Sequence, residues 1–237
     1  MDIQNKNRKL LKKNHVYDET MEHDACGVGL VASTEGLKSR KVVEYGIEAL
    51  KAVWHRGAID ADGKTGDGAG IHIEIPNDFF AEKIEITGHE HDNSDLCVGM
   101  IFLPRNDFGG QEQCRSIVES ELTKKNFNIY GWRQVPVDPS VLGEKAEQTR
   151  PEITQVLFTH NDKSIHGKDL ERALYETRRK IEKEALRNQL NNFYICSFSS
   201  KSIIYKGMFL AESLSCLLYT SDAADEGLGV DLGGRRI

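Results

Sequence analysis

The sequence lacks any apolar run approaching the roughly 18 residues of a membrane-spanning helix, so no membrane partner is expected. It also lacks Cys-x-x-Cys pairs, and its eight histidines show no ligand spacing, so no metal centre is expected. The five cysteines, at 26, 97, 114, 196 and 216, are odd in number and scattered. With no signal peptide ahead of them, they fit a reducing cytosol better than a disulfide frame. The N-terminus is basic but has no apolar h-region, which argues against secretion. Positive charge is in deficit: 31 Lys and Arg against 37 Asp and Glu leave a net charge of -6. A nucleic-acid partner needs clustered basic surface and is therefore not expected. The compartment these absences predict is the cytoplasm, with a plastid left open.

What is present is enough for one sizeable globular domain. The chain has 237 residues, 39% hydrophobic and 29% charged, the balance of a soluble domain with a real core. Residues 1 to about 16 are polar and lysine-rich, with little to bury. Cys26 to Ser33 is predicted as a buried strand interrupted by Gly27 and Gly29. Ser39 to Trp54 is predicted as a helix with Val43, Ile47, Leu50 and Trp54 on one face, delivering His55-Arg56-Gly57 at its end. Asp60 to Gly70 is a glycine-rich loop. Its glycines precede the strand Ile71–Ile75 instead of opening a helix, so it is not a dinucleotide cradle.

Further along, a short helical piece covers Asn77 to Ile84, and His89 and His91 fall in an acidic, solvated loop. Strands are predicted over Leu96–Leu103, Ile129–Val137 and Ile153–His160. A helix over Gly109–Lys125 turns Cys114, Ile117, Val118 and Leu122 inward, so Cys97 and Cys114 read as core. The clearest helix, Lys168 to about Gln189, carries the stripe Leu170, Leu174, Ile181 and Ala185 opposite a charged, solvated face that includes Arg178. Phe193–Phe198 and Ser202–Lys206 read as a hairpin turning at Ser199-Ser200-Lys201. Helices framing many β segments give an α+β class.

Taken alone, Cys26 reads as a small buried hydrophobe, Arg56 as a basic residue favourable at a helix end, and the glycine loop as a tight turn. The combination is more specific. Glu22-His23-Asp24-Ala25-Cys26-Gly27-Val28-Gly29, Trp54-His55-Arg56-Gly57, Lys64-Thr65-Gly66-Asp67-Gly68, Gly131-Trp132-Arg133, Val141-Leu142-Gly143-Glu144 and Tyr205-Lys206-Gly207 occur nearly collinearly. Together they resemble the class II, N-terminal-nucleophile glutamine amidotransferase domain that opens glutamate synthase large subunits.

The resemblance implies an N-terminal-nucleophile hydrolase αββα four-layer sandwich, incomplete here at the C-terminal side. It implies a leader of residues 1–25, a partial amidotransferase domain over 26–215, and Cys26 as the first residue of the mature protein. Residues 216–237 change character. Cys216 to Glu226 and Val230 to Ile237 resemble translated sequencing adapters, so this tail is expected to be non-native.

The implied reaction is hydrolysis of the glutamine side-chain amide to glutamate and ammonia. Cys26 would be the catalytic nucleophile, with its own α-amine, of pKa roughly 8, shuttling the proton. Arg56 would bind the substrate carboxylate as a fork. Asp67 is a weaker candidate, near the substrate's charged end or structural.

No cofactor is expected in these residues. The whole enzyme of the resemblance passes ammonia to 2-oxoglutarate in a synthase part that uses FMN and an iron–sulfur cluster. Its electrons come from NAD(P)H through a small subunit, or from ferredoxin. Its arginine-phenylalanine-serine-threonine segment and its asparagine-glycine-glutamate oxyanion motif have no counterpart here, so the fragment alone is expected to be inactive. Two other readings stay open: a different class II amidotransferase such as amidophosphoribosyltransferase, and a non-catalytic fragment in which Cys26 merely packs.

Overall fold

A computed structural model describes residues 27–53, 58–90 and 95–214. The expected leader 1–25, Cys26, Trp54 to Gly57 with Arg56, His91, and the expected tail 216–237 lie outside the described residues. The described helices and strands, in chain order, are α1 (Arg40–Ala52), β1 (Ala69–Glu74), α2 (Asn77–Ile86), β2 (Leu96–Leu103), α3 (Phe108–Lys124), β3 (Phe127–Gln134), α4 (Glu144–Thr149), β4 (Glu152–His160), α5 (Gly167–Arg187), β5 (Tyr194–Ser199) and β6 (Ser202–Gly207).

The near-continuous apolar run of β2 is explained by its place. It lies between β4 and β5 in a four-stranded antiparallel sheet of order β3-β4-β2-β5, with both faces covered. On one face Cys97, Ile101 and Leu103 meet Cys114, Val118 and Leu122 of α3 and Leu170, Leu174 and Ile181 of α5. On the other, Leu96, Val98 and Met100 join Phe79, Phe80 and Ile84 of α2 and Ile203 and Tyr205 of β6. Strands β1 and β6 make a second, two-stranded antiparallel sheet. The half-buried Ile47 and Leu50 bring α1 against that same cluster. The fold is a mixed α/β arrangement with antiparallel sheets.

Local chemistry starts and stops these elements. Ser39 accepts a hydrogen bond from the Lys41 N–H and opens α1, and Asp107 accepts from the Gly110 N–H to open α3. The stripe of α5 is buried as its period predicts. Thr177 sits in that stripe because its hydroxyl donates to the Ala173 carbonyl at 2.8 Å. Cys97 and Cys114 are core residues. Burial pushes both thiols up, Cys114 to about 11, which makes them poor nucleophiles near neutral pH.

Four points depart from the sequence reading. First, Gly27–Ser33 is not a buried strand. Val28 and Leu30 are 88% and 92% exposed, and the segment pairs with no described strand. Glycines at alternate positions bring little to pack, and without a ladder nothing offsets the cost of ordering them.

Second, the pieces read as a hairpin are β5 and β6, and they belong to different sheets. The chain arches between the layers at Ser199–Lys201. That turn has no glycine or asparagine for a primed hairpin turn. Glu171 of α5 holds it, accepting from the hydroxyls of Ser199 and Ser200 and from the Ser200 N–H at 2.8–3.0 Å. Glu171→Ala is expected to cost about 1–2 kcal/mol and lower the melting temperature by a few degrees, read by circular dichroism.

Third, α4 has no apolar period in its six residues, Glu-Lys-Ala-Glu-Gln-Thr, and was not expected. Fourth, Arg178 is not merely solvated: it donates to the Ile195 carbonyl at 2.9 Å and pairs with Glu182.

Candidate active site

Residues 58–68 close into a loop just ahead of β1. Ile59 and Gly66 form an antiparallel bridge, and the Asp60 N–H donates to the Thr65 carbonyl at 2.9 Å. Inside the loop, Asp62 accepts from the N–H of Lys64 at 2.9 Å, the N–H of Thr65 at 2.7 Å and the Thr65 hydroxyl at 2.5 Å. This is an Asx turn, in which a short carboxylate replaces backbone partners. At the mouth, Asp67 and Ala58 tie the two ends. The Ala58 N–H donates to Asp67 Oδ2 at 3.0 Å, and the Asp67 N–H donates to the Ala58 carbonyl at 3.3 Å.

The loop is seated on two other segments. The backbone of Gly66 lies so close to Phe209 that a Cβ there would be 2.9 Å from the Phe209 carbonyl oxygen. The other seat is the β3–β4 connection, where Lys145 donates to Asp60 Oδ2 at 2.8 Å. Behind it, Gln155 of β4 is wholly buried and joins the two sheets. Its Oε1 accepts from Arg133 Nη1 at 2.8 Å, and its Nε2 donates to the Tyr205 hydroxyl at 3.4 Å. Four segments singled out from the sequence therefore converge: Lys64–Gly68, Gly131–Arg133, Val141–Glu144 and Tyr205–Gly207. The partners that link them, Asp62, Lys145 and Gln155, were missed. Of these only Asp62 left a signal, as the Asp-Gly turn Asp62-Gly63.

The hydrogen bond from the Thr65 hydroxyl and those from the Thr65 and Lys64 N–H groups hold the Asp62 carboxyl down to about 2. Neighbouring Asp60 is lowered chiefly by its hydrogen bond to Lys145, whose own ammonium is raised by that contact. Depressed carboxyls support the loop fully above the ordinary aspartate range, near about 4, and the support goes as pH falls through the folded value. The amide signals of Lys64 and Thr65 are thus expected to hold their positions from neutral pH to about pH 4. They should shift only as pH nears about 2, as followed by NMR titration.

Of the three candidate site residues, the described structure contains Asp67 alone. Asp67 is exposed, with its carboxylate committed to Ala58, two residues beyond Arg56. On the side of Cys26, Gly29 lies against Ala49 of α1, with 3.6 Å between the Ala49 Cβ and a Cβ built on Gly29. The helix bearing Ala49 ends at Ala52, four residues before Arg56. Among the described residues, no group of three or more His, Cys, Asp or Glu side chains is placed to hold a metal ion. No described helix is long and apolar enough to cross a membrane.

A bridged loop, a polar hub joining two antiparallel sheets and the motif set above carry a family assignment. Residues 26–232 match the family described as glutamine amidotransferases class-II, and the chain belongs to that family. Among its relatives, the large chain of the NADPH glutamate synthase of Azospirillum brasilense is 52% identical over 220 residues, 93% of this chain and 14% of that protein. Ferredoxin-dependent glutamate synthase 2 of Synechocystis sp. is 38% identical over 188 residues, 79% of this chain and 12% of that protein. Ferredoxin-dependent glutamate synthase 1, chloroplastic/mitochondrial, of Arabidopsis thaliana is 38% identical over 201 residues, 83% of this chain and 12% of that protein. The chain thus spans 12–14% of the length of these three relatives.

Proposed function

We propose that this chain is the glutaminase part of a glutamate synthase and hydrolyses glutamine to glutamate and ammonia. The observation that carries this reading is 52% identity across 93% of the chain to a glutamate synthase large chain. In the proposed mechanism the Cys26 thiol attacks the side-chain amide carbon and its proton passes to the Cys26 α-amine. The tetrahedral intermediate collapses, the C–N bond breaks, and the departing nitrogen takes that proton as ammonia leaves. Water then attacks the thioester, giving its proton to the α-amine. The C–S bond breaks, glutamate departs, and the thiol is restored. A first-residue cysteine serves here as both nucleophile and base.

This scheme needs a leader of residues 1–25 to be removed. Arg56 is proposed to hold the α-carboxylate of glutamine. Asp67 is proposed to support it by tying down Ala58, two residues along the chain, through a hydrogen bond from the Ala58 N–H. Two stacked sheets, with α3 and α5 outside one and α1 beside the other, support an αββα sandwich. Residues 216–237, of which 216–232 fall within the family match, are proposed to be a non-native tail because Cys216–Glu226 and Val230–Ile237 resemble translated sequencing adapters. In the whole enzyme, the synthase part of the same polypeptide would receive the ammonia for transfer to 2-oxoglutarate. FMN and an iron–sulfur cluster would supply its redox chemistry, with NADPH through a small subunit or ferredoxin as electron source.

The test is Arg56→Lys in the whole enzyme, which keeps the charge and loses the bidentate fork. Glutamine-dependent synthesis is expected to fall about 10–100-fold, the cost of roughly 1.4–3 kcal/mol of lost recognition. Ammonia-dependent synthesis should stay at the unsubstituted level. Equal loss of both would give Arg56 a folding role.

A further inference from the structure

The backbone at Gly143 has no part in the glutaminase chemistry, yet it touches the loop that carries Asp67. A Cβ on Gly143 would overlap both Asp62 Oδ2 and Thr65 Oγ1. The space a side chain would fill is taken by the Asp62–Thr65 pair reaching across from the loop. The Lys145 ammonium bonds Asp60 Oδ2 at 2.8 Å. Two carboxylates of the Asp60–Thr65 turn therefore lie against one short segment, residues 143–145: Asp60 is bonded by Lys145 and Asp62 packs on Gly143.

That segment is firmly anchored. Glu147 of α4 pairs with Arg105, just beyond β2, at 2.5 Å and with Arg150 at 2.8 Å, and Ala146 is buried. On the loop side the anchorage is thinner. Its contacts with the rest of the described protein include Gly66 against Phe209, Gly68 against Gly207 and the Lys145–Asp60 pair.

We infer that Gly143, Lys145 and Asp62 form a latch that positions the 58–68 loop, and through Asp67 its first residue Ala58, for glutamine binding. These are positioning residues for the glutaminase reaction; none is assigned to touch the substrate. The inference rests on the proposed glutaminase reading. The latch separates loop placement from loop composition: Gly143→Ala leaves the loop's own sequence unchanged and pushes the loop off its seat. Asp62→Ala removes the gripping group, and Asp62→Asn keeps its size and one carbonyl acceptor.

The experiment pairs kinetics with hydrogen exchange in the whole enzyme. Gly143→Ala and Asp62→Ala are each expected to raise the KM for glutamine about tenfold, with a smaller change in kcat. Asp62→Asn should fall between them and the unsubstituted enzyme. Ammonia-dependent turnover should be unaltered, which shows the fold intact. Amides of residues 58–68 are expected to exchange about tenfold faster in both alanine variants, with α5 unaffected. Unchanged exchange in the loop would overturn the latch whatever the activity. Faster exchange with an unchanged KM would overturn its positioning role. Failure of the glutaminase reading shows elsewhere, as an unsubstituted enzyme that does not turn over glutamine.

Discussion

Cys26→Ala in the whole enzyme is expected to lower glutamine-dependent synthesis by about 10⁴-fold or more, the scale on which enzymes lose rate when their nucleophile goes. Ammonia-dependent synthesis should be untouched. The reason is the division of labour proposed for the residue. Its sulfur forms the thioester and its α-amine carries the proton, so no other group takes over when the thiol is gone. Cys26→Ser supplies a finer reading. It keeps the amine and a hydroxyl but loses the more nucleophilic thiolate-forming group, so it should retain a small fraction of turnover above the alanine variant. The three described cysteines, Cys97, Cys114 and Cys196, are buried. Their thiols are pushed up by that burial, and alanine at any of them should leave glutamine turnover near its starting level in protein that folds. Loss of both activities in Cys26→Ala would instead make the residue a packing cysteine.

The largest stability effect is expected at Phe158. This side chain on β4 is wholly buried among α3, α5 and the sheet. Its ring meets Phe127 edge-on at 5.4 Å and Phe198 at 4.9 Å between centroids. Phe158→Ala is expected to cost about 3–5 kcal/mol from lost burial and the cavity left behind, against a typical domain stability of about 5–15 kcal/mol. Chemical denaturation should show the midpoint lowered by that loss divided by the slope m, with the slope unchanged. A loss below about 1 kcal/mol would mean that the helix-side core collapses onto the gap more readily than its close packing suggests.

Periodicity served well where one element decides its own burial. The stripe of α5 and the eight-residue run of β2 were both legible, because each buries a face against whatever packs on it. It failed where burial depends on a distant partner. Nothing local in Ser199-Ser200-Lys201 says that β5 and β6 part into two sheets; the cause is Glu171, 28 residues upstream of Ser199. The glycine-spaced run after Cys26 looked like a strand from its apolar residues, yet a strand also needs a ladder, which sequence does not display.

The site was legible as a set of motifs and illegible as a mechanism of assembly. Asp67 stood out, but its hydrogen bond to Ala58 joins residues whose adjacency arises only when the loop closes. Gln155 sits in a stretch predicted only as a strand, and its polar role appears only once Arg133 and Tyr205 flank it. Gly143 was visible as a motif residue with no task. Its task is to leave room for side chains that come from 78 and 81 positions earlier, Thr65 and Asp62.

The most direct measurement of Cys26 as an N-terminal nucleophile is the N-terminal sequence and intact mass of the active enzyme. The expected result is a chain that begins at Cys26, with a free α-amine and no residue 1–25 attached. An enzyme that turns over glutamine while still carrying Ala25 would contradict it, because an amide nitrogen at Cys26 cannot take the proton from its thiol.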